Sequence, residues 1–484
     1  MDPGSQRRAS LATRAGIAVL FIVGLAAAWG PLPPHDLWWQ MRTGAIIASE
    51  HRIPTVDRFS WTAAGEPGRV QEWLAGLIFY QVQSRLGFDG LVLLQFALVA
   101  ATLAAVGSIA RSRGARPLDA MAIATLALWA IRPWLAIRPQ LFTYAFLAAS
   151  AAILESARRS DRPLRLMAIA PLTCLWANLH VGALLAPALL FLESSTAGAM
   201  LLWRRSVDPR ASDDDKTWAR ISGVAGMAAL AATLATPLAF GLWSYPSLVL
   251  GHPGVVDFIT EWGSPSFQNP DMIPLGILLA MAFVGLSLGP TRASARDHVL
   301  LLLLLAWGLI HRRNLPFFAL LSGPLVAVRV AVAAPRGVVP TIALLAAASV
   351  ILGSGPGVAP LSLQEAFSWQ AGMHEFPEAA VRYLQSHPPE PGFFNEYRWG
   401  GYLIWRLPSV PVFIDGRAEV YYRSGTFDDY VDIVWLRPGW KALLDRHRIR
   451  TVLMERSSAL AQVLVASHEW RVAWQDELAV VLVR

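Results

Sequence analysis

About eleven apolar segments, each able to form the core of a membrane-crossing helix, follow one another along this 484-residue chain. A helix needs ~20 mostly apolar residues to cross ~30 Å of hydrocarbon. The composition agrees, because 55% of the residues are hydrophobic and only 15% are charged. The chain is therefore predicted to be an α-helical polytopic membrane protein rather than a soluble one. The segments lie at residues 16–29, 91–110, 120–134, 141–157, 166–179, 182–203, 221–240, 273–288, 298–310, 315–332 and 338–352.

The arginines between these segments indicate an orientation. Arginine-rich loops alternate with loops that are poor in basic residues, and cytoplasmic loops carry the excess of Lys and Arg. This alternation predicts a cytoplasmic N-terminus and an exported tail after about residue 353. The long loop 241–271 contains no Lys or Arg, as expected of an exported loop. The arginine-rich loops lie at residues 7–14, 111–116, 158–165, 204–220, 292–296 and 329–336.

Charge and motifs exclude several classes of function. The net charge of +7 comes from arginines scattered over the loops, which form no contiguous basic face for nucleic acid. The single cysteine, Cys174, lies in an apolar segment, so no intrachain disulfide is expected. HExxH, Walker and paired CxxC motifs are missing, so zinc, nucleotide-phosphate and redox functions have no support.

Two polar stretches interrupt the apolar pattern. We predict a transmembrane domain at residues 1–353, including an exported first loop at 32–90, and an exported α/β domain at 354–484. In the first loop, residues 72–86 have the pattern of a short amphipathic helix. In the tail we predict helices at 377–386 and 457–467 and strands at 411–415, 450–455, 470–474 and 478–483.

Acidic residues are concentrated in the first loop. Asp36 follows the first apolar segment directly, and an ionisable group so close to the bilayer is expensive unless it serves a site, a path or a partner. Asp57 and Glu72 follow in the same loop. Trp38 and Trp39 stand beside Asp36, where aromatic rings could stack on a sugar or lie at the membrane interface.

The first loop resembles the first periplasmic loop of the GT-C glycosyltransferases, a superfamily that includes protein mannosyltransferases and aminoarabinose transferases. The similarity is strongest over residues 31–90, and the tail resembles a group of uncharacterised bacterial membrane proteins. The matching positions are Asp36, Gly44, Ile53-Pro54 with Asp57, Gly65-Glu66-Pro67 and Glu72-Trp73-Leu74, followed in the tail by residues 394–402 and 413–417.

This resemblance implies an enzyme that transfers a hexosyl or pentosyl group from a polyprenyl-phosphate donor at the exported face of a bacterial cytoplasmic membrane. Membrane lipids surround the protein, and the sequence does not identify the acceptor. Asp36 matches the position of the base that takes the proton of the acceptor. Arg138, Arg312 and Arg313 are candidates for binding the lipid phosphate, since arginine forks suit phosphate oxygens. No cofactor is assigned. A divalent metal on the acids of the first loop stays open but has no support, because Asp36-Leu37-Trp38 lacks the DxD pair of metal-dependent relatives.

Each residue of the first loop also has a structural interpretation. Asp36 could cap the helix that follows it, and Asp57 could organise a turn rather than act as a second carboxylate. Glu72 could be a charge that favours a helix dipole. Trp38 and Trp39 could be interfacial residues only.

The remaining candidates have similar alternatives. His180 could form an interhelical hydrogen-bond pair with Asn178, and Glu261 could be structural or could face the substrate cavity. Arg312 and Arg313 could extend to the membrane interface. In the tail, Asp415, Arg417 and Glu419 alternate as on one strand face, where they could form a buried charge pair or bind the acceptor.

A non-enzymatic transporter or assembly scaffold for envelope polysaccharide is the alternative function. Charged residues near the middle of the membrane would favour transport. The predicted spans are nearly free of charge, and the polar residues gather at one end. This distribution favours catalysis at the exported surface.

Overall fold

The computed structural model describes residues 3–28, 35–207, 214–252, 258–288, 294–353 and 373–484. Internal contacts divide the chain into two compact units. The helical unit consists of Met1–Gly30, Val92–Trp243 and Ile259–Phe367, and the mixed unit consists of Pro31–Leu91, Ser244–Phe258 and Ser368–Arg484.

Most of the described residues are helical. Short 3-10 segments precede several helices, and a π-helical turn at Phe318–Ser322 precedes α12. The α-helices are α1 Pro3–Ala26, α2 Leu37–Glu50, α3 Trp73–Ser112, α4 Pro117–Ala130, α5 Gln140–Arg159, α6 Ile169–Leu179, α7 Leu185–Val207, α8 Asp214–Ala232, α9 Gly241–Leu250, α10 Ile273–Leu288, α11 Ala295–Ile310, α12 Gly323–Ala333, α13 Val338–Gly353, α14 Glu378–Ser386, α15 Gly400–Arg406, α16 Thr426–Val434, α17 Trp440–Arg446 and α18 Ala459–Ala466.

Each of the eleven apolar segments overlaps a helical part of the structure. Within the described residues, five helices have the length and apolarity to cross a membrane, and four shorter apolar helices accompany them. These helices confirm the prediction of a multi-pass membrane protein. The five long ones are Trp73–Ser112, Gln140–Arg159, Val181–Val207, Pro270–Ser287 and Arg312–Ala333.

Helix α4 lies at the centre of the helical unit. It contacts α1, α10, α12 and α13. Its residues from Ala122 to Ala130 are all buried. A helix that is apolar on every side lies either in a protein core or in lipid, and the contacts of α4 with its neighbouring helices place it inside the bundle.

Charged side chains are buried at one end of the helical unit. Arg296, at the start of α11, donates to Glu155 of α5 at 2.7 Å and pairs with Glu193 of α7. Glu193 is fully buried and also pairs with Arg158. The predicted spans 141–157 and 182–203 thus each contain one buried acid, and arginines near the helix ends neutralise both.

Arg113 extends this charge network. Its guanidinium donates to Glu155 at 2.5 Å and to Asp297 at 3.0 Å. The network thus contains three arginines and three acids, and its formal charge is balanced. We call it the buried charge network; its members are Arg113, Glu155, Arg158, Glu193, Arg296 and Asp297.

The mixed unit contains a four-stranded sheet in the order β1-β2-β4-β3. β1 pairs with β2 in parallel, whereas β4 lies between β2 and β3 and is antiparallel to both. Helix α18 joins β2 to β3 and packs on β2 and β4. These elements confirm both predicted tail helices and three of the predicted strands. The strands are β1 Phe393–Asn395, β2 Thr451–Glu455, β3 Arg471–Gln475 and β4 Ala479–Val483.

The predicted strand at 411–415 is wrong. Val412 forms only an isolated parallel bridge with Ser60. The side chain of Asn395 accepts from Phe413 N at 2.8 Å and donates to Ile414 O at 2.9 Å. The side-chain amide of Asn395 thus takes the place of a neighbouring strand as the hydrogen-bond partner of this segment. The chain then continues into a 3-10 turn at Ala418–Val420.

The first loop belongs to the same unit as the tail. Trp61 Nε1 donates to Phe393 O at 3.0 Å, and Thr62 Oγ1 donates to Phe413 O at 2.5 Å. The division by contacts therefore differs from the predicted domains, because the hydrogen bonds of loop 32–90 go to the backbone of the tail. The predicted boundary at 353/354 adjoins residues 354–372, which lie outside the described residues.

The predicted helix at 72–86 is present as the first part of α3. Gly87, with φ of 70° and ψ of −170°, interrupts the helical backbone directly after it. Only glycine adopts this conformation without strain. The first part of α3 therefore ends at a kink where the amphipathic pattern ends.

Candidate active site

Asp36 stands immediately before α2 in the mixed unit. Its side chain makes no capping hydrogen bond to the helix, so the interpretation of Asp36 as a helix cap is wrong. Its Oδ1 atom instead accepts from Trp39 Nε1 at 3.3 Å. An indole N–H can only donate, so this contact turns Trp39 toward the carboxylate.

Glu72 lies in the same unit and is buried. Its carboxyl accepts from Gln40 Nε2 at 2.6 Å and from Gln71 Nε2 at 2.9 Å. Burial first, and then the negative charge of Asp36, raise the pKa of Glu72 to about 8. The group is therefore mainly neutral near pH 7, so it is not the helix-dipole charge that the structural alternative required.

Glu72→Gln is expected to remove a pH dependence of stability. The unfolded carboxyl, with a pKa of 4.5, ionises well below the folded one. The folded state keeps the proton between about pH 4.5 and 8, so wild-type stability falls as the pH rises through this window. Since each tenfold difference in acid dissociation corresponds to ~1.4 kcal/mol, the variant should be more stable by a few kcal/mol at pH 8.5 and similar at pH 4.5.

Thermal unfolding of purified protein in detergent at pH 4.5, 6.5 and 8.5 measures this difference. Glu477→Gln removes an exposed carboxyl of the same unit and serves as the matched control. Parallel pH curves for wild type and Glu72→Gln would mean that Glu72 is ionised in the folded protein.

Asp57 has a structural role. Its carboxylate accepts from Ser60 N at 3.0 Å and Ser60 Oγ at 2.7 Å, which is the geometry of a turn. Arg417 also pairs with it at 2.7 Å. These contacts agree with the interpretation of Asp57 as a turn organiser.

Arg417 joins the first loop to the tail. It donates to both oxygens of Asp415 and to Asp57, and Tyr421 donates to Asp415 at 2.6 Å. Burial alone would raise the pKa of Asp415, but Arg417 outweighs burial and lowers it. The expected buried pair of Asp415 and Arg417 is thus present, on a turn rather than on a strand.

A narrow cleft opens beside these groups within the mixed unit. Its cavity volume is about 30 Å³, and the wider concave region around it, about 520 Å³, includes open solvent. Its lining combines aromatic faces with a few polar groups. The lining includes Trp39, Phe59, Tyr245, Glu72, Glu419 and Arg417.

Glu419 is a second buried acid in the lining of the cleft. It accepts from Tyr245 Oη at 3.0 Å. Burial raises its pKa. Tyr245 and Gln40 are not among the residues predicted from sequence, because nothing in their local sequence indicates contacts with residues 174 and 32 positions away.

Trp38 does not line the cleft. It is 1% exposed and packs edge-on against Phe376 and Tyr402, with ring centroids at 5.4 and 4.9 Å. A ring packed in this way offers no face to a sugar, which contradicts the substrate-binding prediction for Trp38. Trp39 alone of this pair reaches the cleft.

A second group of predicted residues meets within the helical unit. Arg138 Nη1 donates to Glu261 Oε1 at 2.9 Å. Arg312 donates to Thr260 at 2.9 Å, and the guanidinium of Arg313 lies 4.0 Å from the centre of the Trp262 ring. Three loops that are distant in sequence are thus brought together.

Glu261 balances part of the charge of this group. Burial acts to raise its pKa, but the charges of Arg138 and then Arg313 outweigh burial and lower it. Glu261 is therefore ionised near pH 7. The group carries three guanidinium charges and one carboxylate charge, which leaves an excess of positive charge for an anionic ligand.

His180 makes an interhelical contact, with a different partner from the predicted one. Its Nδ1 atom lies 2.8 Å from Thr143 Oγ1, and Trp176 Nε1 donates to the same hydroxyl. Asn178 instead donates to Ala235 O at 2.8 Å. The structural alternative for His180 is therefore favoured over substrate binding.

Comparison with solved structures identifies proteins that have a similar fold. No protein-family model and no curated protein matches the sequence. An oligosaccharyltransferase from Archaeoglobus fulgidus, crystallised with a tethered acceptor peptide, matches with a TM-score of 0.56 and 10% identity over 92% of this chain and 69% of that chain.

Two further structures match. The archaeal oligosaccharyltransferase AglB from Archaeoglobus fulgidus, in complex with an inhibitory peptide and a dolichol-phosphate, has a TM-score of 0.52 and 10% identity over 92% of this chain and 69% of that one. ArnT from Cupriavidus metallidurans in the apo state has a TM-score of 0.50 and 14% identity over 98% of both chains. All of these enzymes are GT-C glycosyltransferases.

The chain has the GT-C fold. The resemblance of the first loop is thereby confirmed for the fold, including the multi-pass helical part and the α/β tail. Within the described residues, no three His, Cys, Asp or Glu side chains are grouped so that they could hold a metal ion. The roles of Asp36, Trp39, Glu72, Arg138, Glu261, Arg312 and Arg313 in binding or catalysis stay predictions.

Proposed function

We propose that this protein is a glycosyltransferase that moves a sugar from a polyprenyl-phosphate carrier to an acceptor at the exported face of a bacterial cytoplasmic membrane. The observation that carries the proposal is the Asp36 carboxylate. It is placed by the first loop of a GT-C fold, it does not cap its helix, and it bonds to a tryptophan that lines a cleft. A carboxylate placed beside a cleft can accept the proton of an acceptor nucleophile.

The groups beside Asp36 suit this chemistry. Glu72 is mainly neutral near pH 7, so it adds no full negative charge beside Asp36. Trp39 and Tyr245 offer aromatic surface, and Glu419 offers a carboxyl group to the cleft. A neutral acid and aromatic faces can bind sugar hydroxyls and ring faces without competing for the proton.

The second group of residues is assigned to binding the lipid carrier of the donor. AglB has been observed with a dolichol-phosphate, and a transferase of this fold must neutralise the anionic leaving group. Arg138, Arg312 and Arg313 supply three guanidinium groups against the single carboxylate of Glu261. We assign them to the lipid phosphate, because guanidinium forks bind phosphate oxygens in pairs.

The orientation of the chain is part of the same proposal. The buried charge network joins residues from the loops around 111–116, 158–165 and 292–296, which the arginine pattern assigns to the cytoplasmic face. Contacts among residues 132–138, 260–271 and 311–314 join loops assigned to the exported face. Both groupings support a cytoplasmic N-terminus and an exported tail.

The test is sugar transfer by the purified wild-type protein. Polyprenyl phosphates carrying a radiolabelled hexose or pentose are incubated with the protein and a membrane extract that supplies acceptors. We expect label in the acceptor fraction from a lipid-linked donor and none from the corresponding sugar nucleotides. Absence of transfer from every lipid donor would refute the enzyme and favour the transporter or scaffold alternative.

A further inference from the structure

Gly416, in the tail, lies directly against the carboxylate of Asp36. A Cβ atom added to Gly416 would lie 2.3 Å from Asp36 Oδ1 and 3.5 Å from Trp39 Nε1. Both atoms of the hydrogen bond that orients Asp36 therefore face the bare backbone of this glycine. A side chain at position 416 cannot coexist with the carboxylate where it now lies.

Gly401 approaches the same pair of residues from helix α15, which packs on α2. A Cβ atom added there would lie 2.7 Å from His35 O and 3.2 Å from Trp39 Cδ1. Two glycines from separate parts of the tail thus adjoin the segment His35 to Trp39. Gly416 leaves room for the carboxylate of Asp36, and Gly401 leaves room for the backbone carbonyl of His35.

The backbone that carries Gly416 is held on both sides. Arg417 N donates to Asp415 Oδ1 at 2.9 Å, and Tyr421 Oη donates to Asp415 Oδ2 at 2.6 Å. Arg417 also pairs with Asp57 of the first loop at 2.7 Å. Because these bonds fix the backbone, a clash at position 416 displaces the side chain of Asp36 rather than the tail.

We propose that the tail segment Asp415–Gly416–Arg417 completes the active site, with Gly416 as the positioning residue that sets the place of the catalytic carboxylate. The inference rests on the proposed transferase function and deepens it. It assigns the tail a part in the reaction itself, whereas the sequence analysis considered only acceptor binding or a structural charge pair there. Asp36 remains the group that touches the reacting atoms.

Gly416→Ala is the variant that tests this role. The carboxylate oxygen must move by about 1 Å to restore an ordinary contact of 3.4 Å to the new methyl group. A misplacement of ~1 Å in a catalytic group can cost ~10²-fold in rate. We expect kcat to fall by about that factor and the KM for the lipid donor to stay within about twofold, since the phosphate-binding residues are not altered.

The comparison uses three further proteins in the same transfer assay. Gly276→Ala, in α10, is the matched control, because an added Cβ there meets no heavy atom within 4 Å, and it should keep the wild-type rate. Asp36→Asn and the double variant Asp36→Asn/Gly416→Ala complete a thermodynamic cycle. If Gly416 acts through Asp36, adding Gly416→Ala to Asp36→Asn should change the residual rate by less than about twofold.

Trp39→Phe provides a second test that does not depend on Gly416→Ala being folded. It keeps an aromatic ring and removes the N–H that donates to Asp36 Oδ1. Loss of a donor to a carboxylate disfavours the ionised form, so the acid limb of the pH–rate profile should move to higher pH.

The outcomes separate the two proposals. Wild-type rates in folded Gly416→Ala, or a full additional loss in the double variant, would overturn the positioning role while the transferase stands. An unmoved acid limb in Trp39→Phe would overturn it as well. Absence of transfer by wild type and by Gly276→Ala would overturn the transferase and the inference together.

Discussion

Asp36→Asn is expected to slow sugar transfer by about 10²–10⁴-fold, the usual contribution of a general base. The amide has nearly the shape of the carboxylate, and its oxygen can still accept from Trp39 Nε1. It cannot take a proton from the acceptor. The measurement is the initial rate of label transfer from the lipid-linked donor by purified wild type and variant at equal concentrations of folded protein.

Asp89→Asn is the control for this substitution. Asp89 is an exposed acid of the same unit, so its variant should transfer sugar at the wild-type rate. Equal rates for wild type and folded Asp36→Asn would remove Asp36 from the mechanism, whatever the fold of the protein.

Arg296→Met is expected to cause the largest loss of stability, about 3–5 kcal/mol. Arg296 pairs with Glu155 and Glu193, which are 4% and 0% exposed. Methionine fills similar space but leaves both acids with less positive charge while they stay away from water. The free energy of unfolding, or the melting temperature in detergent, measures the loss.

Arg437→Met tests whether burial is the reason. Arg437 pairs with Asp432 at 2.9 Å, and its side chain is half exposed, so its loss should cost no more than about 1 kcal/mol. The double variant Arg296→Met/Glu193→Gln should be less destabilised than the sum of its single variants, because it removes one of the uncompensated acids. Equal effects of Arg296→Met and Arg437→Met would mean that the buried charge network is solvated.

The helices could be predicted from sequence because an apolar run long enough to cross a bilayer has few alternatives. Strands β2, β3 and β4 were recognisable for a similar reason, since β-branched and apolar residues are concentrated there. The segment 411–415 has the same composition, but the Asn395 side chain occupies its hydrogen-bonding groups. A local sequence pattern does not reveal that a side chain elsewhere in the chain will take up these hydrogen bonds.

The candidate site was predictable only in part. Asp36 could be found because an acid beside an apolar segment is unusual and because the loop resembles a known one. The neutral state of Glu72 depends on burial and on Asp36, and the role of Gly416 depends on an approach across 380 residues of sequence. Trp38 and Trp39 are adjacent and identical, yet only the helical geometry of α2 decides that one is buried and the other reaches the cleft.

The position of β4 determines the order in which the sheet of the mixed unit can assemble. β4 Ala479–Val483 separates β2 from β3, and it is the last of the four strands along the sequence. During synthesis, β2 and β3 emerge before the strand that joins them, and β1 must find β2 across a long closed loop. Folding of this sheet therefore waits for its final strand, and until then β2 presents an open edge that a chaperone or another chain could occupy.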